Sequence, residues 1–105
     1  MIKSGGEWIS SQTLEEAATR HACVQEAAVV AIAHPRWQER PFMIVVPQPG
    51  QEISAGALRA HLETLVPKWW LPDAIAFTDT LPHGPTGKIQ KEILRQWVRE
   101  GRIVP

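Results

Sequence analysis

The spacing of apolar positions changes several times along the chain, and each change marks a predicted element. Ile2-Lys3-Ser4-Gly5-Gly6-Glu7-Trp8-Ile9-Ser10 reads as a short strand, a diglycine turn and a second strand. Leu14, Ala17, Ala18 and His21 then recur at helical spacing. Ser10 or Ser11 is placed to N-cap that helix, with Glu15 and Glu16 expected to favour its first turn. Residues 24–33 are rich in valine and alanine and predict a buried strand. His34-Pro35-Arg36-Trp37-Gln38-Glu39-Arg40-Pro41 is expected to connect it to a second strand over 42–46, ended by Pro47-Gln48-Pro49-Gly50. The two strands are expected to pair as a long antiparallel hairpin.

Ser54 predicts the cap of a second helix with Leu58, Leu62 and Leu65 on one face and Pro67 as its stop. Lys68-Trp69-Trp70-Leu71-Pro72 turns the chain into a strand over 74–78. A loop containing two prolines and two glycines follows and leads into a helix over 89–100. Ile89, Ile93, Leu94, Trp97 and Val98 form its apolar side, and Gly101 is a candidate C-cap. The order β-β-α-β-β-α-β-α predicts the α+β class: a small mixed sheet with helices against it, plus an N-terminal hairpin.

A chain of 105 residues with 44% hydrophobic and 21% charged residues is one globular domain by these measures. Eleven basic and eleven acidic residues cancel, which gives no argument for a nucleic-acid partner or an anionic membrane surface. Basic residues do cluster late, at Lys88, Lys91, Arg95, Arg99 and Arg102. Cys23 is the only cysteine, so no internal disulfide forms, and the expected location is cytoplasmic. No apolar run approaches the roughly 20 residues of a membrane span. His21, His34, His61 and His83 are scattered without ligand spacing, so no metal site is expected.

Lys88 carries the most suggestive chemistry. It leaves the rigid Leu81–Gly87 loop near a predicted helix start, where the helix dipole disfavours a cation. Thr86-Gly87-Lys88 looks like the end of a phosphate loop, but Pro82 and Ile89 occupy positions where the Walker pattern needs a glycine and a hydroxyl residue. What remains is a flexible cation suited to carboxylate and phosphate oxygens; the competing reading is a solvated lysine. In the hairpin, Gly5 and Gly6 allow a ligand or another backbone to approach closely. Lys3 and Glu7 are placed to meet polar groups and Trp8 to line an apolar channel; here the competing reading is an ordinary hairpin with an anchoring tryptophan. Core or interface packing accounts for most of the five tryptophans, and Trp37 is expected to be partly exposed.

Ile2–Ser10 and Pro82-His83-Gly84-Pro85-Thr86-Gly87-Lys88 together resemble the first and last motifs of the C-terminal domain of adenylate-forming enzymes. That superfamily includes acyl-CoA synthetases, nonribosomal peptide adenylation domains and luciferases. The segment 37–41 and Lys68-Trp69-Trp70-Leu71-Pro72-Asp73 resemble its medium- and long-chain fatty acyl-CoA synthetase branch. The resemblance covers essentially the whole chain, residues 1–105. It implies an acid–CoA ligase that uses ATP, with Mg2+, and CoA as substrates. A carboxylic acid and ATP give an acyl-adenylate, and CoA then displaces AMP. The partner implied is an N-terminal adenylation domain, against which this small domain takes two orientations. By that resemblance Lys88 is the catalytic lysine of adenylation, shaped by Thr86 and Gly87. Lys3, Gly5, Gly6, Glu7 and Trp8 help line the pantetheine tunnel during thioester formation.

Some features depart from the family pattern. The N-terminal domain's Gly-rich Ser/Thr loop for ATP is absent from these residues, and the hinge Asp or Lys is expected just before Met1. The chain is accordingly expected to be a domain cut near its boundary, and inactive and without bound cofactor when alone. Gln38 stands where many members carry glycine, and His83-Gly84-Pro85 where Arg or Lys is commoner. The alternative is a stand-alone interaction module that docks on a partner adenylation domain or an acyl carrier protein. The loop also resembles those acetylated at lysine in some acyl-CoA synthetases, a change that would remove the charge of Lys88.

Overall fold

In the computed structural model, which describes residues 2–104, β1 (Ile2–Ser4) and β2 (Glu7–Ile9) form the N-terminal hairpin. Helix α1 (Ser11–Thr19) follows, then the long strands β3 (Val24–His34) and β4 (Gln38–Pro47). Helix α2 (Ala55–Glu63), a short 3-10 turn (Lys68–Trp70), β5 (Ala74–Phe77) and α3 (Lys91–Arg99) complete the order. The α+β expectation and the order of elements both hold. Strand β4 is central: β3 pairs antiparallel along one side, and β1 and β5 share the other. The β4–β5 pairing is parallel, so the sheet is mixed.

Residues 27–32 of β3 and 41–46 of β4 read as unbroken apolar runs because both faces of the sheet are covered there. Ala27, Val29, Met43 and Val45 face α1 and α2, packing with Leu14, Ala17, Ala18, Leu58 and Leu62. Their sequence neighbours Ala28, Val30, Phe42, Ile44 and Val46 face the opposite way and pack with Leu81 and Leu94. The sheet therefore lies between α1 and α2 on one side and α3 on the other.

Several boundaries shift. Ser10 rather than Ser11 caps α1, its hydroxyl accepting from the Thr13 N–H. Glu15 lies beyond the first turn and does not act on the helix dipole. Its Oε2 accepts from the Val29 N–H at 2.9 Å and from Lys91 Nζ at 2.7 Å, which ties α1 to the edge of β3 and to α3. Helix α2 ends at Glu63, before Pro67, and Leu65 is 40% exposed while Val66 points inward. Strand β4 begins at Gln38, so only the first part of the 34–41 segment is a connection. Helix α3 starts at Lys91 rather than Ile89, and Ile93 is exposed. Gly101 sits one residue past the C-cap at φ 77°, and the Gly101 and Arg102 N–H groups close the helix on Val98 and Trp97 carbonyls.

Gln38 has φ 74°, the left-handed conformation that glycine adopts without strain. This is a physical consequence of the glutamine at that turn. Its side chain is exposed and has no hydrogen bond among the described residues. Gln38→Gly is expected to stabilise the fold by about 0.5–1 kcal/mol. A urea titration should show a higher midpoint with an unchanged slope; an unmoved midpoint would mean that the turn is unstrained.

Candidate functional site

The candidate residues fall into two groups, one at each end of the β3–β4 ladder. The first is the loop of residues 82–90. Its base is closed by the Gln90 N–H donating to the Pro82 carbonyl at 2.8 Å and by a bridge between His83 and Ile89. Leu81 is fully packed beneath it. Gly84-Pro85-Thr86-Gly87 is a tight turn, with the Gly87 N–H donating to the Gly84 carbonyl at 2.9 Å. Pro85 presets the turn, and Gly87 at φ 83° reverses the chain after it. The Gly84 N–H then donates to the Lys88 carbonyl at 2.8 Å. The loop is thus a miniature hairpin that fixes the Lys88 backbone and leaves its side chain in solvent. No ion pair among the described residues engages the Lys88 ammonium.

The cation at the start of α3 is Lys91, not Lys88 as the sequence predicts. Because α3 begins at Lys91, that residue is the cation at the helix N-terminus, and Glu15 neutralises it. Lys88 lies before the N-cap residue Gln90, on the hairpin. Thr86 and Gly87 are exposed at the tip.

The second group surrounds the β1–β2 turn. Gly5 and Gly6 have φ of 57° and 87°. The Gly5 N–H donates to the Trp37 carbonyl at 2.7 Å, and a Cβ on Gly5 would lie 2.8 Å from Trp37 Cε3. Gly5 therefore permits close packing of the turn against Trp37, while Gly6 faces open space. Lys3, Glu7 and Trp8 are exposed; Trp8 is 55% so, with Lys3 Nζ 5.8 Å from its ring centre. Lys3 also donates its backbone N–H to Glu39 Oε1. Ser4, Gly5, Glu7, Trp37, Arg40 and Trp69 line a cleft of about 200 Å³ beside the turn.

Arg40 organises this cleft. Its guanidinium donates to Ser4 Oγ, Asp73 Oδ1 and the carbonyls of Trp69 and Leu71, at 2.8–3.0 Å. One side chain thus ties together β1, β4 and the turn before β5. Neither Arg40 nor Trp69 stood out as a site residue from the sequence. Their partners lie 29 to 36 residues away, and no local spacing announces such a junction. Trp37, expected to be partly exposed, is 42% exposed.

The ladder sets the two groups far apart. Ser4 pairs with Gln38, which pairs with His34, while His83 contacts Glu26 at the other end of β3. Eight residues of strand at roughly 3.3 Å each separate the hairpin from the loop by about 26 Å. The two groups therefore present separate surfaces.

A model of the AMP-binding enzyme C-terminal domain matches residues 13–88, ending on Lys88. The chain belongs to that family. Among related proteins, a long-chain-fatty-acid–CoA ligase of Thermus thermophilus is 50% identical over 97 residues, covering 91% of this chain and 18% of that protein. A medium-chain-fatty-acid–CoA ligase of Ectopseudomonas oleovorans is 44% identical over 96 residues, with 91% and 18% covered. The solved structure of a Mycobacterium tuberculosis fatty acyl CoA synthetase superposes with a TM-score of 0.88 at 31% identity, covering 96% of this chain and 20% of that one. This C-terminal domain thus spans about a fifth of the length of the relatives it matches. None of its described helices is long and apolar enough to cross a membrane.

Proposed function

We propose that this chain acts as the mobile C-terminal domain of an ATP-dependent ligase that joins a fatty or related carboxylic acid to CoA. What supports the reading most is that the Lys88 loop and the β1–β2 turn stand at opposite ends of the β3–β4 ladder, eight residues or roughly 26 Å apart, too far to line one small active site together. A domain so built serves two chemical steps by turning one end and then the other toward a partner domain.

In the first step the acid's carboxylate attacks the α-phosphorus of ATP, and pyrophosphate leaves. Two anions must meet, so a cation between them lowers the repulsion and aligns the reactants. Lys88 suits this role because its ammonium is unpaired among the described residues and its backbone is fixed by the Gly84 hydrogen bond. In the second step the CoA thiol attacks the acyl carbon and AMP leaves. The hairpin suits the passage of pantetheine. Gly5 and Gly6 keep its tip slim, Lys3, Glu7 and Trp8 offer polar and apolar contacts, and Trp37 and Trp69 extend the aromatic wall.

Acid-dependent exchange of pyrophosphate into ATP, followed by CoA thioester formation, tests the reading in the ligase containing this chain. A panel of carboxylic acids should show exchange with fatty acids among the responders. Exchange with amino acids alone, or no CoA thioester with any acid, would overturn it.

A further inference from the structure

Among the described residues, one side-chain polar contact ties the Lys88 loop to the sheet. The His83 Nε2–H donates to Glu26 Oε2 at 2.6 Å, across 57 residues of sequence. Glu26 lies at the irregularity in β3 between Val24 and Glu26, paired with Val46. His83 is the residue before Gly84, whose N–H holds the Lys88 carbonyl. A short path of hydrogen bonds therefore runs from β3 through the loop base to the Lys88 backbone. On one flank Leu81 is buried; on the other Gln90 packs against Gly84, where a Cβ would lie 2.8 Å from Gln90 Nε2.

The pair is poorly placed to support the fold. The two side chains are 34% and 28% exposed, and ion pairs in such settings contribute little to stability. It is well placed to aim the loop. The base of the hairpin is already closed by backbone bonds, which fix its shape but leave its angle to the sheet to the side chains beneath. Glu26 and His83 supply a short contact to the sheet there.

We propose that Glu26, through His83, is a positioning residue for Lys88: it sets the angle of the loop so that the ammonium reaches the reacting carboxylate and α-phosphate. This inference rests on the role given to Lys88 in adenylation. Misplacement of a catalytic group by about 1 Å can cost 10²-fold in rate. The effect should therefore appear in one half-reaction and leave the fold intact.

Single-turnover assays of the complete ligase test it, with Lys88→Ala measured alongside. Glu26→Ala and His83→Ala should each slow adenylation by about 10–100-fold, with KM for ATP and acid within about twofold. The double variant should be no slower than either single one, because both remove the same contact. His83→Lys, which restores a donor to Glu26, should retain most of the rate. Thioester formation from supplied acyl-adenylate and the melting temperature should be unchanged throughout. If Glu26→Ala disturbs folding, Glu26→Met keeps the bulk without an acceptor and should still slow adenylation about tenfold. The inference is overturned if Lys88→Ala cripples adenylation while Glu26 and His83 variants retain the wild-type rate, or if the two losses multiply. If Lys88→Ala leaves adenylation intact, the role of Lys88 fails and the positioning role with it.

Discussion

Replacing Lys88 with alanine in the complete ligase is expected to lower acyl-adenylate formation by about 10²–10³-fold, the usual cost of removing one preorganised charge stabiliser. The same variant should convert supplied acyl-adenylate and CoA to thioester at close to the wild-type rate. The asymmetry follows from position. Lys88 projects from a loop fixed by the Gly84 and Gln90 hydrogen bonds, while the hairpin surface assigned to the second step lies at the far end of β3 and β4. The side chain is exposed, so its loss leaves no cavity and should not affect folding. Rapid-quench measurement of each half-reaction checks the split. Equal losses in both steps would remove the assigned role.

The second large effect is expected at Arg40. Arg40→Met keeps most of the stem but removes a guanidinium that holds Ser4, Asp73, Trp69 and Leu71. The Arg40 side chain is only 12% exposed, and Ser4 is buried, so Ser4 Oγ and the Leu71 carbonyl lose their donor where water reaches poorly, while Asp73 and the Trp69 carbonyl stay open to solvent. Truncating a charged network of this kind costs about 3 kcal/mol. For a domain of this size that corresponds to a fall in melting temperature of roughly 10–20 °C. Calorimetry on the chain measures it directly. A fall of only a few degrees would show that the groups find water instead. In the ligase, the loss should weigh on thioester formation, since β1 and the Trp69 turn form the cleft beside the hairpin.

What the sequence disclosed depended on how local each signal was. The Gly5-Gly6 turn, the Ser10 and Ser54 caps and the paired runs around Val29 and Ile44 are written in adjacent residues, and they appear where expected. Lys88 was legible because prolines and glycines shape its loop within a few positions. Long-range partners were not. Glu15 looked like a first-turn charge because its real partners, Val29 and Lys91, come from two other elements. Arg40 lies in a stretch that reads as a connection, because its partners in β1 and the turn before β5 leave no local pattern. Ile93 fits the helical period of α3 but lies at the edge of its apolar stripe, and the sheet covers only the face around Leu94. The separation of the two surfaces was also hidden, because it depends on the register that puts Gln38 beside Ser4 and Glu26 beside His83.

The central claim is that each end of the strand ladder serves its own half-reaction. It is tested most directly by single-turnover rates for both steps in Lys88→Ala and Trp8→Ala ligases. Trp8 is largely exposed, so its removal should leave the fold intact. The expected result is a crossed pattern: Lys88→Ala slows adenylation alone, and Trp8→Ala slows thioester formation alone, by about tenfold if its side chain is one wall of the tunnel. If both variants slow the same step, or each slows both steps equally, the two ends do not divide the work and the account is contradicted.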